Sequence, residues 1–340
     1  MKKINKAGIF IFLLPLFCVS QTFKGRVLDK VTQQPLETVA VYFDNTTIGT
    51  TTNEKGAFSI PYTDAVQSTL VISYLGYENV MILNYRNQNN ITIELVEAES
   101  ALDEVHLNYD DGLTRRQKLR LFRKEFLGAS KFGRSSKILN EDDLVLRYNK
   151  QNKALYASCN AVIKIENKAL QYEILYDLKD FEINFRYVEA DQNIFTINSV
   201  AYSGTSYYKN LKKSNHKKTI KNRETAYNGS VQHFMRSLYN TNLKAENYRI
   251  FYDGFVVDEW TYFNVEVIAN SDFKKVTLKD KVSILYNKDF QSDLIIELDE
   301  FFIDVYGNYA PVVGIYFNGV MGSQRLGDTL PLDYKLEEKE

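Results

Sequence analysis

Val39-Ala-Val-Tyr-Phe-Asp44 alternates with a period of two. Val39, Val41 and Phe43 fall on one side of an extended chain and Ala40, Tyr42 and Asp44 on the other, as a strand with one face on a core requires. On both sides of it, between Thr22 and Val96, the sequence breaks into further short runs: Phe23 to Leu28, Thr47 to Thr52, Ala57 to Ile60, Thr69 to Leu75, Val80 to Leu83 and Ile91 to Leu95. Turn residues separate them. Asn53-Glu-Lys-Gly56 and Leu75-Gly-Tyr77 place glycine where a positive φ carries no steric cost. Short strands at this spacing predict a sandwich.

Beyond residue 97 the rhythm is lost. Glu97-Ala-Glu-Ser-Ala-Leu-Asp-Glu-Val105 is acidic and polar and reads as the start of a linker over residues 98–113. From Thr114 the period changes: Leu119, Phe122 and Phe126 recur at helical spacing among Arg115, Arg116, Lys118, Arg120, Arg123 and Lys124. This predicts an amphipathic helix over 114–127, capped by Thr114 and stopped near Gly128. A basic helix of this kind lies on anionic lipid or docks its narrow apolar stripe on a folded neighbour; the latter is expected, because a globular region follows directly.

Long alternating runs then return: Leu144 to Tyr148, Ala154 to Ile165, Leu170 to Tyr176, Phe181 to Val188, Ile194 to Tyr202, Val276 to Tyr286, Asp293 to Val305 and Val312 to Val320. They predict one larger antiparallel sheet domain over residues 114–336. A helix near 230–240 interrupts it, with Val231, Phe234, Met235 and Leu238 on one face and Ser230 as its cap. With 24 Tyr and 21 Phe against 5 Pro, the composition also favours strands, and 340 residues suffice for two cores. The expected fold class is mainly β.

The first twenty residues read as a leader. Lys2, Lys3 and Lys6 precede the uncharged run from Ala7 to Val19, which is shorter than the roughly 20 apolar residues of a spanning helix and suits a secretory signal. Cleavage is expected between Ser20 and Gln21, with Cys18 at the small minus-three position; Phe17 argues against a lipoprotein signal centred on Cys18. The mature chain then keeps only Cys159, so packing must hold it together without an internal disulfide. Cys159, in an alternating run, reads as a small buried hydrophobe.

Gly25-Arg-Val-Leu-Asp29, Pro35-Leu-Glu-Thr-Val-Ala-Val41, Gly49-Thr-Thr-Thr-Asn53 with Gly56-Ala-Phe58, and Ile72-Ser-Tyr-Leu-Gly-Tyr77 resemble, in order, the carboxypeptidase regulatory-like domain. The resemblance implies a transthyretin-like, seven-stranded β-sandwich over residues 22–97. It also implies an accessory module of exported bacterial proteins, including outer-membrane transporters, that does not hydrolyse peptides. In those transporters a Leu-x-Glu-Val stretch like Leu102-Asp-Glu-Val105 leads into a plug and barrel, but roughly 22 strands of about 10 residues do not fit in the remainder of the chain. The later region resembles exported bacterial proteins that pair this module with an uncharacterised β-rich domain. It does so through Phe126-Leu-Gly128, Ile165-Glu-Asn167 with Leu170-Gln-Tyr172, Tyr227-Asn-Gly-Ser230, His233-Phe-Met-Arg-Ser-Leu238 and Arg325-Leu-Gly-Asp-Thr-Leu-Pro-Leu-Asp-Tyr334. At 171 that resemblance implies a glycine, and this chain has Gln171.

No cofactor or metal is implied. A zinc peptidase needs a His-x-x-Glu pair, and the residues three after His106, His216 and His233 are Tyr109, Thr219 and Arg236. Gly204-Thr-Ser206 lacks the second glycine of a nucleophile elbow and reads as a loop. Ser230 beside His233 suggests a nucleophile and base, but a capping hydroxyl is already engaged by backbone. Glu141-Asp-Asp143 and Glu297-Leu-Asp-Glu300 offer carboxylates whose separation the sequence does not set, and Asp299 to Gly307 lacks calcium-loop spacing.

With 42 basic and 43 acidic residues the whole chain is close to neutral, so a charged partner must be met locally. The strongest local feature is the run Lys209 to Arg223, seven basic residues and no acid. It reads as an exposed, mobile connection between strands, and Lys212, Lys213, Lys217, Lys218, Lys221 and Arg223 form a candidate anion patch. Without interleaved aromatics, and in an exported chain, nucleic acid is its poorest partner.

The expected function is therefore a non-catalytic, binding or structural protein of a gram-negative envelope, periplasmic or associated with the outer membrane. Its partner is an envelope protein or glycan. No transmembrane span is expected in the mature chain, and peripheral membrane association is open to it. The alternatives are a glycan-directed hydrolase using paired carboxylates and an accessory factor of an outer-membrane nutrient-uptake system.

Overall fold

A computed structural model describes residues 21–62, 67–88, 90–98, 112–269 and 271–336. The expected leader with Ser20, most of the expected linker and His106 lie outside the described residues.

The chain is mainly β. The N-terminal strands are β1 (Gln21–Asp29), β2 (Ala40–Phe43), β3 (Gly49–Thr51), β4 (Ala57–Tyr62), β5 (Leu70–Ser73), β6 (Val80–Ile82) and β7 (Ile91–Leu95), one for each short run of the sequence. They form two sheets, β4-β1-β7 and β3-β2-β5-β6, with β1 antiparallel to β4 and parallel to β7. Val41, Phe43, Ile60, Leu70 and Ile72 are fully buried between them. Phe23, Phe43 and Tyr62 all pack on Tyr85, with ring centroids 5.0 to 6.0 Å away. Gly56 and Gly76 take the positive φ values their turns need, +69° and +85°. Gly49 serves differently: a Cβ there would lie 2.5 Å from the Tyr207 ring, so glycine gives that ring room rather than making a turn.

Helix α1 (Arg115–Leu127) is the first element after β7 among the described residues. Thr114 and Gln117 close a reciprocal capping box, and Gly128 at φ +101° ends the helix. Its apolar stripe is packed: Phe122 and Phe126 are fully buried in one core with Phe181 and Tyr176. The opposing sheet contains β8 (Ser136–Ile138), β9 (Leu144–Asn149), β10 (Ala154–Cys159), β11 (Ile163–Asn167), β12 (Tyr172–Glu189) and β13 (Ile194–Asn210). Its order is β8-β11-β12-β10-β9, with β13 along the other side of β12. The runs 170–176 and 181–188 are one strand; register shifts between Leu178 and Asp180 and around Phe185 carry β12 through its polar middle.

Two helices lead out of this sheet, α2 (Lys217–Tyr227) and α3 (Val231–Tyr239). Ser230 caps α3 by accepting the His233 N–H at 3.1 Å. Ser230→Ala is expected to lower stability by about 1 kcal/mol, read as a shift in urea midpoint.

Strands β14 (Tyr248–Tyr252), β15 (Phe255–Val257), β16 (Phe263–Val267), β17 (Lys274–Leu278), β18 (Val282–Tyr286), β19 (Phe290–Ile296), β20 (Phe301–Ile303), β21 (Tyr309–Ala310) and β22 (Ile315–Asn318) follow. They build two more sheets, β15-β14-β18-β19-β22 and β16-β17-β20-β21, around a separate core with Phe234, Met235 and Leu238 of α3. Where the sequence reads as one larger sheet, buried side chains thus divide into two clusters. The runs Val276 to Tyr286 and Asp293 to Val305 are each two strands, because the chain crosses between sheets at polar Lys279-Asp-Lys281 and Asp299-Glu300.

The N-terminal sandwich is seated on the sheet of α1. Tyr42, on the face of β2 turned from its own core, stacks on Tyr207 at 5.2 Å, and its hydroxyl meets that of Thr205 at 3.0 Å. Main-chain bonds run from Asn45 N–H to Ser206 O, from Tyr208 N–H to Thr46 O and from Leu332 N–H to Asn45 O, at 2.8, 3.0 and 2.6 Å. The Asp44 carboxylate accepts the Ser206 N–H at 2.7 Å; burial raises its pKa to about 6.

Candidate functional site

The basic run does not form the open connection the sequence suggests. It leaves the end of β13, turns over residues 211–216 and becomes α2. Thr219, Ala226 and Tyr227 are the residues α2 buries, too few and too widely spaced among lysines for the helical period to show in the sequence. His216, at the N-cap, makes no side-chain capping bond.

The structure divides the six patch residues. Lys212, Lys213, Lys217, Lys218 and Lys221 are exposed and make no ion pair with a described residue. Arg223 is committed to the fold. Its Nε donates to Leu170 O at 2.8 Å, its Nη2 to Gln171 O and Asn210 Oδ1 at 3.2 and 2.8 Å, and its guanidinium lies 3.8 Å from the Tyr172 ring centroid. These bonds hold the turn in which Gln171 stands where a glycine was expected. Gln171 adopts φ +55°, a left-handed conformation costing a non-glycine residue roughly 1–2 kcal/mol. Its side chain offsets part of that, donating to Lys168 O at 2.8 Å and accepting from Lys213 N–H at 3.3 Å.

Beside Arg223 is a cleft of about 200 Å³ whose lining includes Thr47, Tyr172, Asn210, Asp333 and Lys335. Asp333 accepts the Thr47 N–H at 2.8 Å and also bonds the Thr47 hydroxyl, so the wall joins the N-terminal sandwich, the β13 end and the C-terminal segment.

A second cleft, about 310 Å³, is lined by His233, Arg236, Asn240, Asn242 and Glu246 among others. His233 has its ring nitrogens engaged by groups other than the Ser230 hydroxyl. Its Nδ1 accepts the Gly229 N–H at 3.1 Å and lies 3.1 Å from the Tyr248 hydroxyl, while Nε2 is 3.2 Å from Glu246. Burial lowers its pKa, with Glu246 acting the other way. Arg236 donates to Tyr306 O and Leu332 O at 2.9 and 2.8 Å. These groups join helix, sheet and C-terminal segment.

The other candidates are likewise occupied. Ser206 lies within β13, not in a loop; it is fully buried and its hydroxyl donates to Asn45 Oδ1 at 2.6 Å. Glu141 clamps Arg123. Glu300 meets Glu266 at Lys275, which lies 3.5 and 2.9 Å from them and holds the Glu266 carboxyl below its ordinary pKa; a catalytic acid needs the opposite shift. Cys159 ends β10 half-buried, and burial raises its pKa. Among the described residues no His, Cys, Asp and Glu cluster has metal-site geometry.

Residues 23–107 match the family model of the CarboxypepD_reg-like domain. No curated protein matches the chain. Among solved structures, it is similar to a 9R-lipoxygenase from Cyanothece PCC8801 at 10% identity and a TM-score of 0.19. That alignment covers 72% of this chain and 51% of the lipoxygenase, so the chain spans about half of that protein's length. It is also similar to a Bacteroides fragilis NCTC 9343 protein described as membrane-associated and of unknown function. The identity is 10% and the TM-score 0.18, with 83% of this chain and 92% of the other covered. Neither likeness carries a functional argument.

Proposed function

We propose that the protein is a non-catalytic binding or accessory protein of a gram-negative cell envelope, exported after cleavage between Ser20 and Gln21. In this reading a regulatory-like module over residues 22–97 is joined through 98–113 to a β domain over 114–336 that meets an acidic partner, an envelope glycan or protein. The observation that carries the reading is the division of the basic run. Arg223 is spent on the fold, while Lys212, Lys213, Lys217, Lys218 and Lys221 face solvent with no ion pair to a described residue. Five like charges on one short segment repel one another at low salt, and an acidic partner relieves that repulsion. The regulatory-like family match supports an accessory role. Among the described residues no helix is long and apolar enough to cross a membrane.

The test combines fractionation with binding. The protein is expected in the envelope fraction with Gln21 as its first residue. The purified mature chain is expected to bind an acidic polyuronate, with affinity falling roughly tenfold when the five lysines are changed to glutamate. Recovery from the cytosol with residues 1–20 intact would overturn the export reading, and binding unchanged by the five substitutions would overturn the lysine surface.

A further inference from the structure

The basic face of α1 has a second feature, at the far end of the β12–β13 hairpin. Arg116, Arg120 and Arg123, spaced i, i+4 and i+7, line a cleft of about 520 Å³ with Thr114, Gln117 and Asn193. The hairpin tip forms the other wall and is fastened to the helix. Gln117 Nε2 donates to Ala190 O at 2.8 Å and Asn193 Oδ1 at 3.0 Å, and Arg120 Nη2 donates to the same Oδ1 at 3.1 Å. Asn193 takes φ +56° to present that oxygen, and the Arg120 guanidinium lies 5.8 Å from the Phe195 ring centroid.

The three arginines are not equivalent. Arg123 is neutralised by Glu141, which takes its Nε at 2.5 Å and also its Nη2. Among the described residues Arg120 has only the neutral amide of Asn193 and the Phe195 ring. Arg116 is exposed, with no hydrogen-bond or ion-pair partner among the described residues. Like charges at i and i+4 disfavour a helix, and cations in its first turn oppose its dipole. Fastening the hairpin accounts for Arg120 in part, but packing does not account for Arg116, because the α1 core is made by Phe122, Phe126 and their neighbours. An anion between Arg116 and Arg120 reverses both penalties, and guanidinium forks match the oxygens of a phosphate group.

We propose that this cleft is a binding site for a phosphate group, free or carried on a lipid headgroup, gripped by Arg116 and Arg120 with Gln117 and Asn193 fixing the walls. It is separate from the lysine surface, since α2 packs at the other end of β12 and β13, a contour of roughly 55 Å along the strands.

The test uses the mature full-length chain in two arms: inorganic phosphate by calorimetry, and co-sedimentation with vesicles of mixed phosphatidylcholine and phosphatidic acid against phosphatidylcholine alone. Saturable binding is expected in at least one arm, which identifies the source. It should weaken about tenfold or more in R116Q/R120Q and hold in K212Q/K213Q/K217Q, with circular dichroism confirming that both variants are folded. Binding that survives R116Q/R120Q, or that falls equally in the lysine variant, overturns the proposal. So does the absence of saturable binding in both arms.

Discussion

Phe126→Ala is expected to cost about 3–5 kcal/mol of stability, among the largest effects of any single side chain in α1. Phe126 is fully buried. Its ring stacks on Phe122 at 4.9 Å and meets Tyr176 at 5.0 Å and Tyr202 at 5.4 Å edge-on. Truncation therefore removes the transfer free energy of the ring and leaves a cavity walled by rigid aromatics that close over it poorly. Urea unfolding followed by near-ultraviolet circular dichroism measures the loss. Arg116→Gln, on the opposite face, is expected to stay within about 0.5 kcal/mol of wild type. A cost below about 1 kcal/mol for Phe126→Ala would mean that the stripe is not docked, and the lipid-surface reading of this helix would return.

That helix also marks how far the sequence can be read. Its cap, stripe and glycine stop are local signals within a few residues of one another, and the short strands of the N-terminal sandwich carry a period of two for the same reason. What the sequence conceals is set by distant partners. Tyr42 falls on the polar-looking side of β2, yet it is 5% exposed, because Tyr207 covers it from far along the chain. Nothing near Gly49 shows that it makes room for the same ring. The left-handed turn at Gln171 is held by Arg223, a residue that read as part of a surface patch.

The candidate sites were legible by residue type and illegible by orientation. Ser230 and His233 sit one helical turn apart, as the spacing says, but the imidazole is turned toward Gly229, Tyr248 and Glu246 by elements the spacing cannot name. The arginines of α1 were visible as a basic face. The cleft they line exists only because the β12–β13 hairpin returns its tip to the helix, a contact made some seventy positions away.

Asp304→Asn is expected to raise stability near pH 8 by about 3 kcal/mol relative to wild type and to change it little near pH 4. Asp304 is 1% exposed, in the turn between β20 and β21. Its Oδ1 accepts the N–H groups of Tyr306 and Asn308 at 2.9 and 3.0 Å, while Oδ2 is buried without a hydrogen-bond partner among the described residues. Burial raises its pKa from 3.8 to about 6, against the opposing pull of those N–H groups and of Arg236. Between these two values the native state holds more proton than the unfolded chain, so stability falls as pH rises through the window and levels off above it. A shift of about two units corresponds to roughly 3 kcal/mol. Asparagine keeps the Oδ1 acceptor and does not titrate, so the difference between variant and wild type isolates this carboxylate. Asp44, shifted the same way, and His233, whose stabilising contribution is lost as pH falls below 6.5, act on both proteins and cancel. Urea midpoints for the pair across this range should diverge with rising pH, and parallel curves would show that the buried carboxylate carries no such penalty.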